Sequence, residues 1–256
     1  MRQMIQDLQK ASFWKRVSAF MFDTIILVIL AVGFGALLSG VLHFDEHNER
    51  IQAAYVQYET EYGISFELTQ EDYETMSQEE RQRFDQAYEA LIADQEAMYA
   101  YNMTIHLTLL ITTISILIAV VLLEFVGPMF LGNGQTLGKK IFGIGVMRVD
   151  GVRLTTVQLF IRTMLGKFTL EIMIPVLLVL MLFFNIIGIV GLFVLGGILL
   201  LQIILLGVSK TNSVIHDHLA GTVVIDMASQ KIFNSTDEMI EYKKKIAAEK
   251  AARQAY

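Results

Sequence analysis

The chain contains no cysteine, only two prolines and a single tryptophan in 256 residues. The absence of cysteine excludes disulfide bonds, thiolate metal sites and cysteine nucleophiles. Charged residues are also scarce, at 18% of the chain, whereas hydrophobic residues make up 54% and the mean hydropathy is +0.50. This composition lies outside the usual range of soluble domains and is typical of a membrane protein.

The glycine- and lysine-rich stretch at residues 134–140 lacks the spacing of a nucleotide-binding loop. A Walker A loop needs G-x-x-x-x-G-K-[ST], because that spacing wraps backbone N–H groups around phosphates and places a hydroxyl on Mg²⁺. Gly134 is one residue too close to Gly138, and Lys140 stands where Ser or Thr is required. The net charge of −6 gives no footprint for nucleic acid. We therefore expect no enzyme activity, no cofactor and no nucleic-acid partner.

Four apolar stretches are each close to the roughly 20 residues that an α-helix needs to cross a bilayer. They lie at residues 17–42, 103–127, 168–185 and 188–208. The last two form one run that is too long for a single crossing, so we place a break at residues 185–188. The sequence therefore predicts an all-α polytopic membrane protein with four transmembrane helices.

Lysine and arginine near the ends of these helices predict the orientation, because they are retained on the cytoplasmic side. Basic residues are frequent in segments 1–16, 131–167 and 209–256, which we therefore assign to the cytoplasm together with both termini. Segment 43–101 has three arginines against fifteen Asp and Glu. We expect it to be an external acidic insert.

Local patterns predict structure in each of these segments. In the insert, Ser77 and Glu80 have the spacing of a capping box, which predicts a helix over residues 78–100. This helix is either an acidic solvated cap or a surface that binds an external partner. Segment 1–16 is amphipathic, with basic residues beside apolar ones, and should lie along the inner membrane surface.

The cytoplasmic segments combine β and helical patterns. Asp150-Gly151 between two β-rich runs predicts a small hairpin, to which residues 222–225 could add a third strand. Residues 155–167 predict an interfacial amphipathic helix. After the last strand, the chain ends in a basic helical tail within 209–256.

Three stretches resemble the signature regions of the RDD family of bacterial membrane proteins. They are FWKRVSAFMFDTIIL, GQTLGKKIFGIGVMRVDGVRLT and HDHLAGTVVI. The family takes its name from an arginine and two aspartates, which here match Arg16, Asp23 and Asp217. Where related sequences often have arginine, this chain has His218, so a positive charge is lost at neutral pH. The resemblance implies a multi-pass protein of the bacterial inner membrane; transport of unidentified ligands has been suggested for the family, and no reaction is assigned.

Ionisable side chains at membrane depth are the candidate functional residues, because an ionised group there costs about 2.5 to 3.5 kcal/mol and needs a partner. Three carboxylates fall in the predicted inner half of the membrane. Neighbouring charged residues can approach them from the cytoplasmic side. The candidates are Arg16, Asp23, Glu124, Lys139, Lys140, Glu171, His216 and Asp217.

Two hypotheses compete for these residues. In the first, the carboxylates line a vestibule in which Asp23 takes up a proton or cation, so that the protein transports a small solute or ion. In the second, Arg16 pairs with Asp217 or Glu171 in a structural clamp, and the protein is a membrane scaffold or regulatory subunit.

The partners predicted from the sequence are the lipid bilayer, a second copy of the chain, and an unidentified membrane or external protein. Glycines in the first and fourth helices favour close helix approach and hence a homo-oligomer. His43 and His47 have metal-ligand spacing, but the sequence fixes no third ligand. We therefore expect no metal site.

Overall fold

The computed structural model describes residues 9–184, 186–208 and 213–254. The chain is mostly helical, as the sequence predicts. Its α-helices, in chain order, are α1 (Phe13–Val41), α2 (Phe44–Tyr62), α3 (Gln70–Thr75), α4 (Gln78–Ala93), α5 (Gln95–Val120), α6 (Gly127–Leu131), α7 (Leu137–Ile141), α8 (Thr156–Phe160), α9 (Ile174–Phe183), α10 (Gly188–Val208), α11 (Ile215–Ala220) and α12 (Thr236–Gln254). Two π-helical segments, Val121–Val126 and Ile161–Met173, join α5 to α6 and α8 to α9.

Within the described residues, four helices are long and apolar enough to cross a membrane, which confirms the predicted count. They cover Phe13–Val41, Gln95–Leu131, Thr156–Phe183 and Gly188–Leu205. The second and third of these spans contain the π-helical segments. Residues 1–8 of the predicted N-terminal amphipathic segment lie outside the described residues.

The prediction of a separate interfacial helix at residues 155–167 was wrong. The segment forms the first half of the continuous third span, Thr156–Phe183. Arg162 is only 6% exposed, because it faces other polar groups of the protein instead of the membrane surface. The basic residues of this segment are therefore part of the interior.

A two-stranded antiparallel sheet pairs β1 (Ile144–Arg148) with β2 (Thr222–Asp226). The hairpin predicted across Asp150-Gly151 is reduced to a single antiparallel bridge between Met147 and Arg153. It extends no further, because Thr155 caps α8 through a capping box with Gln158. The β-rich run predicted at residues 222–225 forms β2, which pairs with β1.

The described chain divides into two compact units. The first comprises Met1–Leu30 and Ile116–Tyr256, and the second comprises Ala31–Ser115. The first unit contains the sheet, whose side chains Val146, Val223 and Ile225 are completely buried. At the edge of β2 opposite β1, Lys10 forms an isolated bridge with Ile225.

The second unit packs α2, α3, α4 and the start of α5 around a small apolar core. Ile51, Leu91, Ala97 and Ala100 form that core. The predicted capping box of Ser77 and Glu80 begins α4.

The predicted helix at 78–100 is interrupted at Asp94. The carboxylate of Asp94 accepts hydrogen bonds from the backbone N–H groups of Glu96 and Ala97 and so caps the start of α5. The N–H of Ala97 lowers the pKa of Asp94, since it stabilises the ionised form. The segment is therefore two helices.

Candidate functional site: a buried charge network

Asp23 lies on α1 with 3% of its surface exposed. The hydroxyl of Thr136 donates to Asp23 Oδ2, and the backbone N–H of Gly138 donates to Oδ1 at 2.8 Å. Thr136 is the N-cap of α7. A Cβ at position 138 would lie 2.5 Å from the carbonyl oxygen of Ala19, so glycine is needed for this approach. Two donors at the start of α7 therefore satisfy the buried carboxylate.

Lys139 connects Asp23 to a second buried carboxylate, Glu124. Its ammonium lies 3.4 Å from Glu124 Oε2, 4.0 Å from Asp23 Oδ2 and 3.2 Å from Thr136 Oγ1. Lys167 donates to the other oxygen of Glu124. We call Asp23, Glu124, Lys139 and Lys167 the lysine cluster.

The charges of the lysine cluster compensate each other. Two carboxylates face two ammonium groups, so the cluster has no formal net charge when all four are ionised. Burial lowers the pKa of Lys139, and this effect outweighs the attraction of Glu124. The ammonium of Lys139 is therefore held in place by its carboxylate neighbours against the cost of desolvation.

A second group, which we call the arginine cluster, comprises Arg16, Arg162, Glu171, His216 and Asp217. Asp217 is completely buried. Arg162 donates to Asp217 Oδ1, and Arg16 Nη2 lies 3.7 Å from Oδ2. Burial raises the pKa of Asp217, but the charges of Arg162 and Arg16 outweigh that effect and lower it to about 2. Asp217 is therefore ionised at any physiological pH.

His216 bridges Glu171 and Arg162. Its Nδ1 lies 2.6 Å from Glu171 Oε2, and its Nε2 lies 2.9 Å from Arg162 Nη2. Arginine offers only donors, so Nε2 accepts and Nδ1 carries the proton that is donated to Glu171. The backbone N–H of His216 donates to the other oxygen of Glu171 at 3.0 Å, and the side chain of Gln202 also bonds to Glu171.

Seven of the eight residues proposed from sequence lie in these two clusters. The exception is Lys140, whose side chain is exposed. Asp23 and Arg16, although they share a helix, belong to different clusters, whereas Arg16 does pair with Asp217.

Sequence reasoning missed Arg162 and Lys167 as site residues. The amphipathic pattern of residues 155–167 instead predicts that both lie at the membrane surface. A signal was nonetheless present, because both stand in an apolar stretch that leads directly into a span with a carboxylate of its own, Glu171. Cations in such a place need buried partners.

The histidines of the second unit take other partners. His43 Nδ1 lies 3.1 Å from Glu46 Oε1, and the ring of His47 packs edge-on against Tyr99. In the part of the chain that the structure describes, no group of three or more metal-binding side chains has the geometry to hold an ion.

Family comparison adds to this geometry. The model of the RDD family matches residues 10–221, which is most of the chain. The chain belongs to the RDD family. No curated protein and no solved structure matches it. In this RDD protein the two clusters both fall within the matched region, with the exposed helix α12 following it.

Proposed function

We propose that this RDD protein transports a small ion, a proton or a monovalent cation, through the lysine cluster. The observation that supports this proposal is the position of the Lys139 ammonium, between the carboxylates of Asp23 and Glu124. A transported cation would need the same surroundings, namely two carboxylates and a hydroxyl oxygen. Lys139 is therefore a built-in competitor for the transported ion.

The competition keeps the charge of the cluster constant. When a cation binds between the carboxylates, or when one of them takes a proton, the Lys139 ammonium loses part of its stabilisation and withdraws. Burial lowers the pKa of Lys139, so its ammonium is less stable inside the cluster than in water, and this favours its withdrawal once a carboxylate is neutralised. Lys139 lies on the short helix α7, outside the four spans, so its withdrawal requires no movement of a membrane helix.

The arginine cluster has a structural role in this proposal. Asp217 is paired with both Arg162 and Arg16, and the Thr222 hydroxyl donates to it at 3.0 Å. With a pKa of about 2, Asp217 exchanges no proton at physiological pH. The clamp hypothesis therefore applies to this cluster, which joins α1, the third span and α11.

The proposed setting is a bacterial inner membrane, with both termini and the sheet in the cytoplasm. The distribution of basic residues supports this orientation, because segment 43–101 contains only three arginines. The lysine cluster would then lie in the cytoplasmic half of the membrane. We propose the lipid bilayer as the principal partner and a homo-oligomer as the functional form, and no enzyme activity.

Flux measurements on purified protein in proteoliposomes test the transport proposal. Wild-type vesicles should conduct protons or monovalent cations down an imposed gradient. Asp23→Asn and Glu124→Gln should abolish that flux, since each removes a charge that binds the ion. Lys140→Met is the matched control, because this neighbouring lysine is exposed, and it should preserve the flux.

Two outcomes would contradict the proposal. Wild-type vesicles no more permeable than empty ones, under gradients of either ion, would refute transport of these ions. Mg-ATP should leave the flux unchanged, since residues 134–140 lack the Walker spacing. A flux that depends on ATP and disappears in Lys139→Ala would show that the protein is an ATPase instead.

A further inference from the structure

The only two prolines of the chain stand in equivalent places. Pro128 follows Glu124 by four residues, and Pro175 follows Glu171 by four residues. Each proline comes just after a π-helical segment, Val121–Val126 in the second span or Ile161–Met173 in the third. The repeated pattern Glu-x-x-x-Pro thus coincides with a site glutamate and a widened helix in both cases.

The chemistry of proline explains the widened helix. Proline has no N–H, and in an α-helix its ring collides with the carbonyl of the residue four positions earlier. Here that residue is Glu124 or Glu171. The backbone N–H groups just before the prolines bond five residues back, from Gly127 to the carbonyl of Leu122 and from Ile174 to that of Thr169. This π-helical pattern relieves the collision.

The carbonyl of Glu124 loses its regular helical donor and gains another. The hydroxyl of Thr163, a residue only 2% exposed on the third span, donates to it at 3.0 Å. Four residues later on the same span, Lys167 donates to the carboxylate of Glu124. The third span therefore holds both the backbone and the side chain of Glu124.

We propose that Pro128 and Pro175 are positioning residues for the two clusters. Each maintains the π-helical segment that holds the glutamate four residues before it, and Pro128 in addition frees the Glu124 carbonyl for Thr163. Only the transport measurement below rests on the proposed function.

The geometry of the third span has a measurable signature. Between residues 158 and 173 the exposed side chains are Phe160, Leu165 and Thr169, which are five and then four residues apart. An α-helix would repeat every 3.6 residues. Replacing Pro175 by alanine restores an N–H that can bond to the Glu171 carbonyl, so the segment before it should relax towards α-helical spacing.

Spin labels on single cysteines can detect that change, because the chain has no cysteine of its own. Labels are placed between 160 and 172 at positions outside the clusters, and their accessibility to oxygen is measured in lipid vesicles. Wild type should show maxima at 160, 165 and 169. Pro175→Ala should shift them to a 3.6-residue period, whereas the neighbouring control Ile174→Ala should not. A 3.6-residue period in the wild type, or an unchanged pattern in Pro175→Ala, would overturn the proposal.

Transport kinetics test the effect of Pro128 on Glu124. Pro128→Ala and Thr163→Val should each raise the KM for the conducted ion about tenfold, the effect expected when one buried hydrogen bond is lost. Thr163→Ser keeps the hydroxyl and should stay within about twofold of wild type, as should the adjacent control Met129→Ala. An unchanged KM in both Pro128→Ala and Thr163→Val would refute the role of Pro128. A wild type without flux refutes transport alone, since the spin-label pattern still decides the role of Pro175.

Discussion

Asp217 shows how single residues maintain charges inside this protein. Its carboxylate has no exposed surface, yet Arg162, Arg16 and the Thr222 hydroxyl all lie around it. Removing one member of such a buried pair leaves the other charge uncompensated, at a cost of about 3 to 5 kcal/mol. The three groups therefore depend on one another, and the ionisation of Asp217 is part of the stability of the fold.

The pH dependence of stability should reveal this contribution. The pKa of Asp217 in the folded protein, about 2, lies below its ordinary value of 3.8. The ionised carboxylate therefore stabilises the fold fully above pH 3.8, by about 2 kcal/mol, and this stabilisation is lost as the pH falls towards 2.

Melting temperatures of wild type and Asp217→Asn in detergent, between pH 7 and pH 3, measure that effect. The wild type should be more stable by a constant margin from pH 7 to 5, and the margin should shrink below pH 4. A margin that is the same at every pH would show that the ionisation of Asp217 contributes nothing.

For single residues, the sequence predicts which charged side chains lie at membrane depth better than it predicts the groups that pair with them. The cost of burying a charge identifies Asp23, Glu124 and Glu171 without a structure. Their partners depend on contacts between distant segments, such as the 113 residues between Asp23 and Thr136. No local pattern in the sequence specifies such a contact.

Among the elements, α7 is short but determines the surroundings of Asp23. Its N-cap hydroxyl and the N–H of Gly138 both donate to that carboxylate. The contact depends on the absence of a side chain at position 138, because a Cβ there would meet the backbone of α1 at Ala19. The carbonyl oxygen of Ala19 belongs to the helix backbone and cannot rotate away from an added Cβ as a flexible side chain can.

Gly138→Ala should therefore move α7 away from α1 and destabilise the protein by about 1 to 3 kcal/mol, the usual cost of overpacking. Gly33→Ala is the matched control, since Gly33 is also helical and a Cβ added there would meet no described atom within 4 Å. Thermal unfolding of the two variants in detergent measures the difference. Equal melting temperatures would mean that α7 adjusts freely and that the contact with Asp23 is weak.

The elements also show where local patterns mislead. Asp150-Gly151 is a strong hairpin signal, but the chain after it makes only one bridge to β1 before the capping box of Thr155 and Gln158 begins a helix. The capping signals at Ser77 and Thr155 act within one turn, and for that reason they remain reliable. The π-helical segments have no comparable local rule, although a proline four residues after a buried glutamate indicates where each ends.

The described chain consists of two units of different composition. Unit Ala31–Ser115 contains the whole acidic insert, whereas the other unit contains the sheet and both clusters. The four spans could be predicted because apolar length is a property of the sequence itself. Which side of the membrane each segment faces, in contrast, depends on how the chain inserts and is tested by a separate experiment.

Cysteine labelling of intact cells tests the orientation, because the chain has no native cysteine. Single cysteines replace the exposed residues Gln86 and Ser229. An impermeant thiol reagent should label Gln86→Cys in intact cells, and it should label Ser229→Cys only after the cells are permeabilised. Labelling of Ser229→Cys in intact cells would refute cytoplasmic placement of the C-terminal segment.

The order of synthesis gives the pairing of β2 a consequence for biogenesis. Asp217 and β2 follow the fourth span, yet Lys15 near the start of α1 binds Asp226 across 211 residues of chain. During translation, Arg16 and Arg162 are therefore made before their partner Asp217, which leaves the ribosome after the four spans. A nascent chain that stops before Asp217 has its hydrophobic spans but not this carboxylate, so the final assembly of the bundle is a post-insertion step.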